Sequence, residues 1–244
     1  MDATKRVRVG ILTPHTAGGA HFEMLRAVLP GEVEIMSEGM EFAHTSRYQL
    51  TGTTDPIKRR SIQFVARHKL QGLAITSAPL AILNPELEAT VRDGIGIPVT
   101  TAPSAATAAL KAIGAKNLIV LTPFDVKMNS LLQDYLAHAG FTVLACPAHK
   151  DPTLGSGPKT GPEEIFQAVE KTVKETPTAD TIYFQGAPFN PLPIIERIET
   201  ELHLPIVASN PAMMWHILSL LGYKYSIEGY GKLLASWPEL TKEI

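Results

Sequence analysis

Leu12-Thr13-Pro14 closes the β-rich run that starts at Val7, and about 109 residues later the same string returns as Leu121-Thr122-Pro123. Working outward, Ala78-Pro79 returns as Ala187-Pro188, and Ile97-Pro98 returns as Leu204-Pro205 at the start of an equivalent strand. Each half therefore carries the same elements in the same order. Two copies are too few to stack as a solenoid, so the duplication predicts two similar lobes. A small-molecule site in the cleft between them is the natural consequence.

Short β-rich runs alternate with helical patterns throughout, the signature of parallel sheets covered by helices. The predicted fold is α/β, with two pseudo-symmetric Rossmann-like lobes, each a four-stranded parallel sheet flanked by helices. Lobe 1 is expected to comprise residues 1–104 plus 213–244, and lobe 2 residues 105–212. Strands are predicted at 7–13, 32–36, 72–76 and 98–101, then at 118–122, 142–145, 181–184 and 205–208. Helices are predicted at 20–28, 57–69, 85–93, 105–113, 126–139, 162–175, 192–202 and 212–221. Ligands of open α/β sheets gather at the carboxyl ends of strands, which nominates segments 14–19, 76–79, 123–127 and 185–190. Two longer loops, 39–56 and 147–162, interrupt the alternation, and the first is weighed as a lid against a plain surface excursion.

Composition bounds the rest. With 244 residues, 45% hydrophobic and 19% charged, the chain can bury a substantial core. A net charge of −2 without a basic block argues against nucleic acid as a partner. The N-terminal residues lack the apolar core of a signal peptide. Residues 206–223 are uncharged but are interrupted by Ser209-Asn210-Pro211 and His216, so they read as a strand and a helix rather than a membrane span. One cysteine, Cys146, excludes an internal disulfide and fits a reducing compartment, so a cytoplasmic location is expected. The eight histidines show no paired ligand spacing, and Gly18-Gly19 lacks the rest of a phosphate-binding pattern. Neither a metal nor a cofactor is expected.

Thr76-Ser77 follows a strand and precedes Ala78-Pro79, which would aim two hydroxyls at the cleft. Oriented neutral donors of this kind stabilise a carboxylate or a developing enolate without reorganising. The competing reading is a strand-end turn that satisfies local backbone groups. In the duplicate, Gln185-Gly186-Ala187 would bring backbone amides from the other lobe. Ser209-Asn210 is read as an N-cap pair opening the helix at Ala212, a further anion cradle. His44, Arg47 and Tyr48 would clamp a second carboxylate, although an Arg in a polar loop is usually a solvated surface charge. Met40 and Phe42 would wall the same loop with apolar surface or fill the core.

Gly10-Ile11-Leu12-Thr13-Pro14, Thr76-Ser77, Leu110-Lys111-Ala112-Ile113-Gly114-Ala115, and Leu121-Thr122-Pro123-Phe124 with Asn129 follow one another in a recognisable order. They continue through residues 204–212 with Trp215 and close on Gly229-Tyr230-Gly231-Lys232-Leu233. In this order and spacing the chain resembles the aspartate/glutamate racemase superfamily, within it the arylmalonate decarboxylase and maleate isomerase branch. The resemblance implies a cofactor-independent enzyme acting on the carbon next to a carboxylate, with a possible homodimeric assembly. It also implies catalytic cysteines at the positions of Ile75 and Gly186 and a tyrosine hydroxyl at that of Phe124, and this chain lacks all three groups.

A replacement acid or base should titrate near neutral pH and project from a strand end. His15, directly after Pro14, meets both conditions; His21, His44 and Lys127 are weaker choices. The expected function is a lyase without a cysteine proton donor, decarboxylating a malonate-like or related small carboxylic acid through an enediolate. The enediolate would be held by Thr76, Ser77, Gly186 and Ala187. An isomerase or racemase using non-cysteine bases, and a catalytically silent carboxylate-binding protein, are the alternatives.

Overall fold

The computed structural model describes residues 6–14, 25–26, 29–42, 46–148, 161–186 and 191–241. The first sheet is built from β1 (Val7–Thr13), β2 (Val33–Gly39), β3 (Gly72–Ile75) and β4 (Val99–Thr101), parallel throughout and ordered β2-β1-β3-β4. The second repeats it with β5 (Asn117–Leu121), β6 (Thr142–Ala145), β7 (Thr181–Phe184) and β8 (Ile206–Ala208), ordered β6-β5-β7-β8. The helices are α1 (Thr54–His68), α2 (Ala78–Ile82), α3 (Leu87–Ile95), α4 (Ala102–Ala112), α5 (Val126–His138), α6 (Pro162–Glu175), α7 (Ile195–Leu202), α8 (Ser209–Leu220) and α9 (Lys232–Ser236). Short 3-10 turns lie at Arg47–Leu50 and Leu192–Ile194.

The duplication extends to individual hydrogen bonds. The Gln71 amide donates to the Arg8 carbonyl in the first sheet and the Asp180 amide to that of Asn117 in the second, both at 2.9 Å. Leu73 to Pro98 and Ile182 to Pro205 form a second matched pair at 3.0 Å. Helix bounds follow local capping chemistry more closely than hydrophobic period does. Thr101 accepts from the Ser104 amide and starts α4 at Ala102, three residues before the predicted start.

Alternation along the central strands sends side chains to two cores. Val7, Val9, Ile11 and Ala74 join the larger core, which continues into the second sheet through Val120, Ile182 and Tyr183. Leu12, Leu73 and Ile75 face Ile57 and Phe64 of α1 in a smaller one. At Gly10 a Cβ would stand 2.4 Å from a Leu70 methyl and 2.8 Å from the Phe64 ring, so only glycine admits them this close to β1.

The stretch weighed against a membrane span resolves into β8 and α8, and among the described residues no helix is long and apolar enough to cross a membrane. Met213, Met214, Trp215, Ile217 and Leu218 are all buried, because α8 leaves the second sheet and packs on β3 and β4 of the first. It also packs along α4, which in turn reaches β8. The expected lobe boundaries at 104/105 and 212/213 fall inside these two helices. One polar tie holds α8 in register: His216 Nδ1 lies 2.7 Å from the Thr100 hydroxyl, and burial pulls the imidazole pKa down to about 4.

The predicted loop 39–56 is organised by a residue outside it. Asn84, 2% exposed, donates to the Leu50 and Leu80 carbonyls at 2.8 and 2.7 Å. Its oxygen accepts from the amides of Gly52 and Thr53 at 2.8 and 3.2 Å. This side chain fastens the turn at Arg47–Leu50 to α2, the helix that begins just after Ser77. Asn84→Ala should lower folding stability by about 2–3 kcal/mol, since it strands buried carbonyls and amides; the urea denaturation midpoint is the measurement.

Candidate active site

Four strand ends supply the site. Thr76 and Ser77 follow β3, with the Thr76 amide donating to the Leu12 carbonyl at 2.9 Å. Gln185 and Gly186 follow β7, with the Gln185 amide donating to Leu121 at the same distance. Beyond these bonds both chains turn through left-handed backbone, φ 76° at Ser77 and φ 107° at Gly186. Gly186 adopts that conformation freely; a serine does so against a cost of about 1–3 kcal/mol. Ser77 caps α2 by position, yet its hydroxyl makes no capping bond. Among the described residues neither the Thr76 nor the Ser77 hydroxyl has a hydrogen-bond partner. Both residues are half-buried.

The second lobe differs from expectation at Ser209. Helix α8 starts at Ser209, with Ala208 as its N-cap, so Ser209-Asn210 is the first turn rather than a cap pair. Ser209 is buried, and its hydroxyl accepts the Gly186 amide at 3.4 Å, while Asn210 is half-buried. The Gly186 N–H thus has a weak internal partner that a bound anion would replace. Gln185 is buried too and accepts a hydrogen bond from the Tyr183 hydroxyl.

Residues expected to line the site divide into groups. Pro14 is buried at the end of β1, where its carbonyl accepts from the Phe42 amide at 3.1 Å. Ile75, 1% exposed, belongs to the smaller core, and Met40 and Phe42 pack against that core as well. Phe124 is buried just beyond β5, and its amide donates to the Thr122 hydroxyl at 3.1 Å. His15, His44 and Ala187 lie outside the described residues, as does His21. Cys146 is half-buried after β6 against the larger core, where burial pushes its thiol pKa up to about 12. A thiol so protonated is a poor nucleophile and base. Among the described residues no three His, Cys, Asp or Glu side chains cluster in a way that would hold a metal ion.

Arg47 overturns the reading of a solvated surface charge. It is 9% exposed and lies over the Phe124 ring, its guanidinium carbon 5.3 Å from the ring centroid. Its turn also bonds across the cleft: the Tyr48 hydroxyl donates to Asp125 Oδ1 at 2.6 Å, and Lys127 Nζ sits 4.8 Å above the Tyr48 ring. Asp125 is the N-cap of α5, accepting from the Met128 amide at 2.9 Å. Sequence reasoning did not single out Asp125 or Asn84. An Asp directly before a predicted helix start was a legible capping signal, but its second role as acceptor for Tyr48 depends on the fold.

The Tyr48–Asp125 contact shapes two titrations. Burial, then the hydrogen bond to Asp125, raises the Tyr48 phenol from 10.0 to about 12. Burial acts to raise Asp125, but the Tyr48 hydroxyl, the Met128 amide and the Arg47 charge outweigh it, and its carboxyl sits below the ordinary 3.8. The Asp125 contribution is therefore present above pH 3.8 and lost as pH falls through the depressed value. That of Tyr48 is present below pH 10.0 and lost as pH rises through about 12. Tyr48→Phe should cost about 1 kcal/mol at neutral pH. The gap from the parent should shrink at both pH extremes, as read from guanidinium denaturation across a pH series.

A similar fold is found in known proteins. An arylmalonate decarboxylase from Bordetella bronchiseptica is 23% identical over 185 residues, covering 75% of this chain and 77% of that protein. A maleate isomerase from Geobacillus stearothermophilus is 21% identical over 147 residues, covering 60% and 58%. A doubly substituted, liganded arylmalonate decarboxylase superimposes with a TM-score of 0.83 at 19% identity, covering 93% of this chain and 98% of that one. A Nocardia farcinica maleate cis-trans isomerase with a covalently bound succinylcysteine intermediate gives 0.81 at 20% identity, covering 94% and 98%. The sequence model of the arylmalonate decarboxylase family matches residues 9–234. A match of that extent makes this chain a member of the arylmalonate decarboxylase family.

Proposed function

We propose that the protein is a cofactor-independent lyase that decarboxylates a malonate-like or related small carboxylic acid without a cysteine proton donor. The observation that carries this reading is the pair of left-handed strand-end turns, with the Thr76 and Ser77 hydroxyls unengaged on one side and the Gly186 amide weakly engaged on the other. Membership of the arylmalonate decarboxylase family supports the reaction class.

In the proposed reaction the bond from the α-carbon to one carboxylate breaks and carbon dioxide leaves. The electron pair passes into the remaining carboxylate as an enediolate. Thr76, Ser77 and the Gly186 and Ala187 amides donate to its oxygens, neutral dipoles that stabilise the developing charge. A proton from His15 or from water then closes the α-carbon. Cysteine plays no part, because Cys146 is protonated and lies after β6, away from the β3 and β7 ends.

A second reading, an isomerase or racemase using non-cysteine bases, is favoured by one specific observation. Arg47 places a buried positive charge at the β5 end, which suits a substrate that keeps both its carboxylates. Solvent deuterium entering the α-carbon without loss of carbon dioxide would select that reading over decarboxylation.

Thr76→Ala should reduce turnover of a cognate acid by about a hundredfold, mainly in kcat, as expected for a lost oxyanion donor. A rate within about threefold of the parent would remove Thr76 from the mechanism.

A further inference from the structure

Arg47, 9% exposed, is a buried charge beside the β5 end. Its Nη1 is buried and has no hydrogen-bond partner among the described residues. An unpaired buried guanidinium N–H is costly, and a fold tolerates it where a ligand completes the pairing. We propose that Arg47 binds a second carboxylate of the substrate, one remote from the reacting carbon and retained through turnover.

The turn that carries Arg47 is held from three directions. Ser46 caps its turn, accepting from the Tyr48 amide at 3.3 Å, while the Gln49 side chain accepts from the Ser46 amide at 3.2 Å. Asn84 ties the turn to α2, and Tyr48 ties it to Asp125 of the other lobe. The guanidinium carbon lies 5.3 Å from the Phe124 ring centroid, a contact with the ring that uses no N–H donor. Asp125, the carboxylate whose field reaches Arg47, is already occupied by the Tyr48 hydroxyl and the Met128 amide. Arg47 and Thr76-Ser77 are also linked, since the 3-10 turn packs on α2, the helix that begins directly after Ser77.

Charge bookkeeping decides which carboxylate Arg47 receives. A carboxylate that departs as carbon dioxide loses its charge, so a cation beside it would stabilise the ground state over the transition state and slow the reaction. The Arg47 partner is therefore a group that stays ionised throughout. This names the substrate as an acid with one carboxylate beyond the reacting centre: a tricarboxylic acid where a malonate-like centre loses carbon dioxide, a dicarboxylic acid where no carboxylate is lost. The proposal rests on the reading of the cleft as a carboxylic-acid site.

Calorimetry with two unreactive probes tests it. Succinate carries two carboxylates and butyrate one on the same length of chain. The parent should bind succinate at least tenfold more tightly than butyrate. Arg47→Met should bring succinate to the butyrate level, and Arg47→Lys should weaken succinate about tenfold, since a lysine lacks the planar fork. Butyrate affinity should change less than threefold in either variant. Circular dichroism checks folding, and if Arg47→Met does not fold, Arg47→Lys and the parent preference decide. Equal binding of the two acids by the parent, or succinate binding untouched in the variants, overturns the Arg47 assignment while leaving a carboxylic-acid cleft in place. Failure of the parent to bind either acid overturns both.

Discussion

Two backbone hydrogen bonds anchor the cleft, from the Thr76 amide to the Leu12 carbonyl and from the Gln185 amide to Leu121, each 2.9 Å long. They extend the β1–β3 and β5–β7 ladders to their last residue, and beyond them each chain must leave its sheet abruptly. The departure is made through a left-handed residue in both lobes, Ser77 in one and Gly186 in the other. Parallel pairing thus dictates where the strands stop, and the stop dictates where Thr76, Ser77 and Gly186 stand.

Among the described residues, the strand ends that would form the site carry neutral dipoles and few titratable groups. The one thiol is buried and protonated after β6, and His216 is held neutral down to about pH 4 in the packing between α8 and β4. Charge enters from outside the repeat, through the turn at Arg47–Leu50. That turn brings a cation over Phe124 and a phenol onto Asp125, so one short segment links the two lobes through polar contacts. Asn84 makes the arrangement rigid, with four hydrogen bonds at the junction of the turn and α2.

Much of the architecture was legible residue by residue. The echo of Leu12-Thr13-Pro14 in Leu121-Thr122-Pro123 foretold two sheets of one order, and the bounds of β1, β6, β7 and α6 agree with the hydrophobic pattern. The misplacements have local causes. Helix α8 begins at Ser209 rather than Ala212 because the Ser209 hydroxyl is drawn to the Gly186 amide instead of capping. Helix α2 was overlooked because five residues make little more than one turn, too few for the hydrophobic spacing to repeat. The predicted helix at 192–202 opens with a 3-10 turn, since Pro191 and Pro193 interrupt regular amide pairing.

What the amino-acid order determined by itself was the repeat, the α/β alternation and the positions of the strand-end segments, because these rest on periodicity and on turn chemistry confined to a few neighbouring residues. Only tertiary structure decided that Arg47 is buried, that Tyr48 reaches Asp125 and that Ser209 meets Gly186. Each of those contacts joins residues at least 23 positions apart or turns on a neighbour from another element. Burial and pairing of a polar side chain depend on what arrives from elsewhere in the chain, and no local pattern records it.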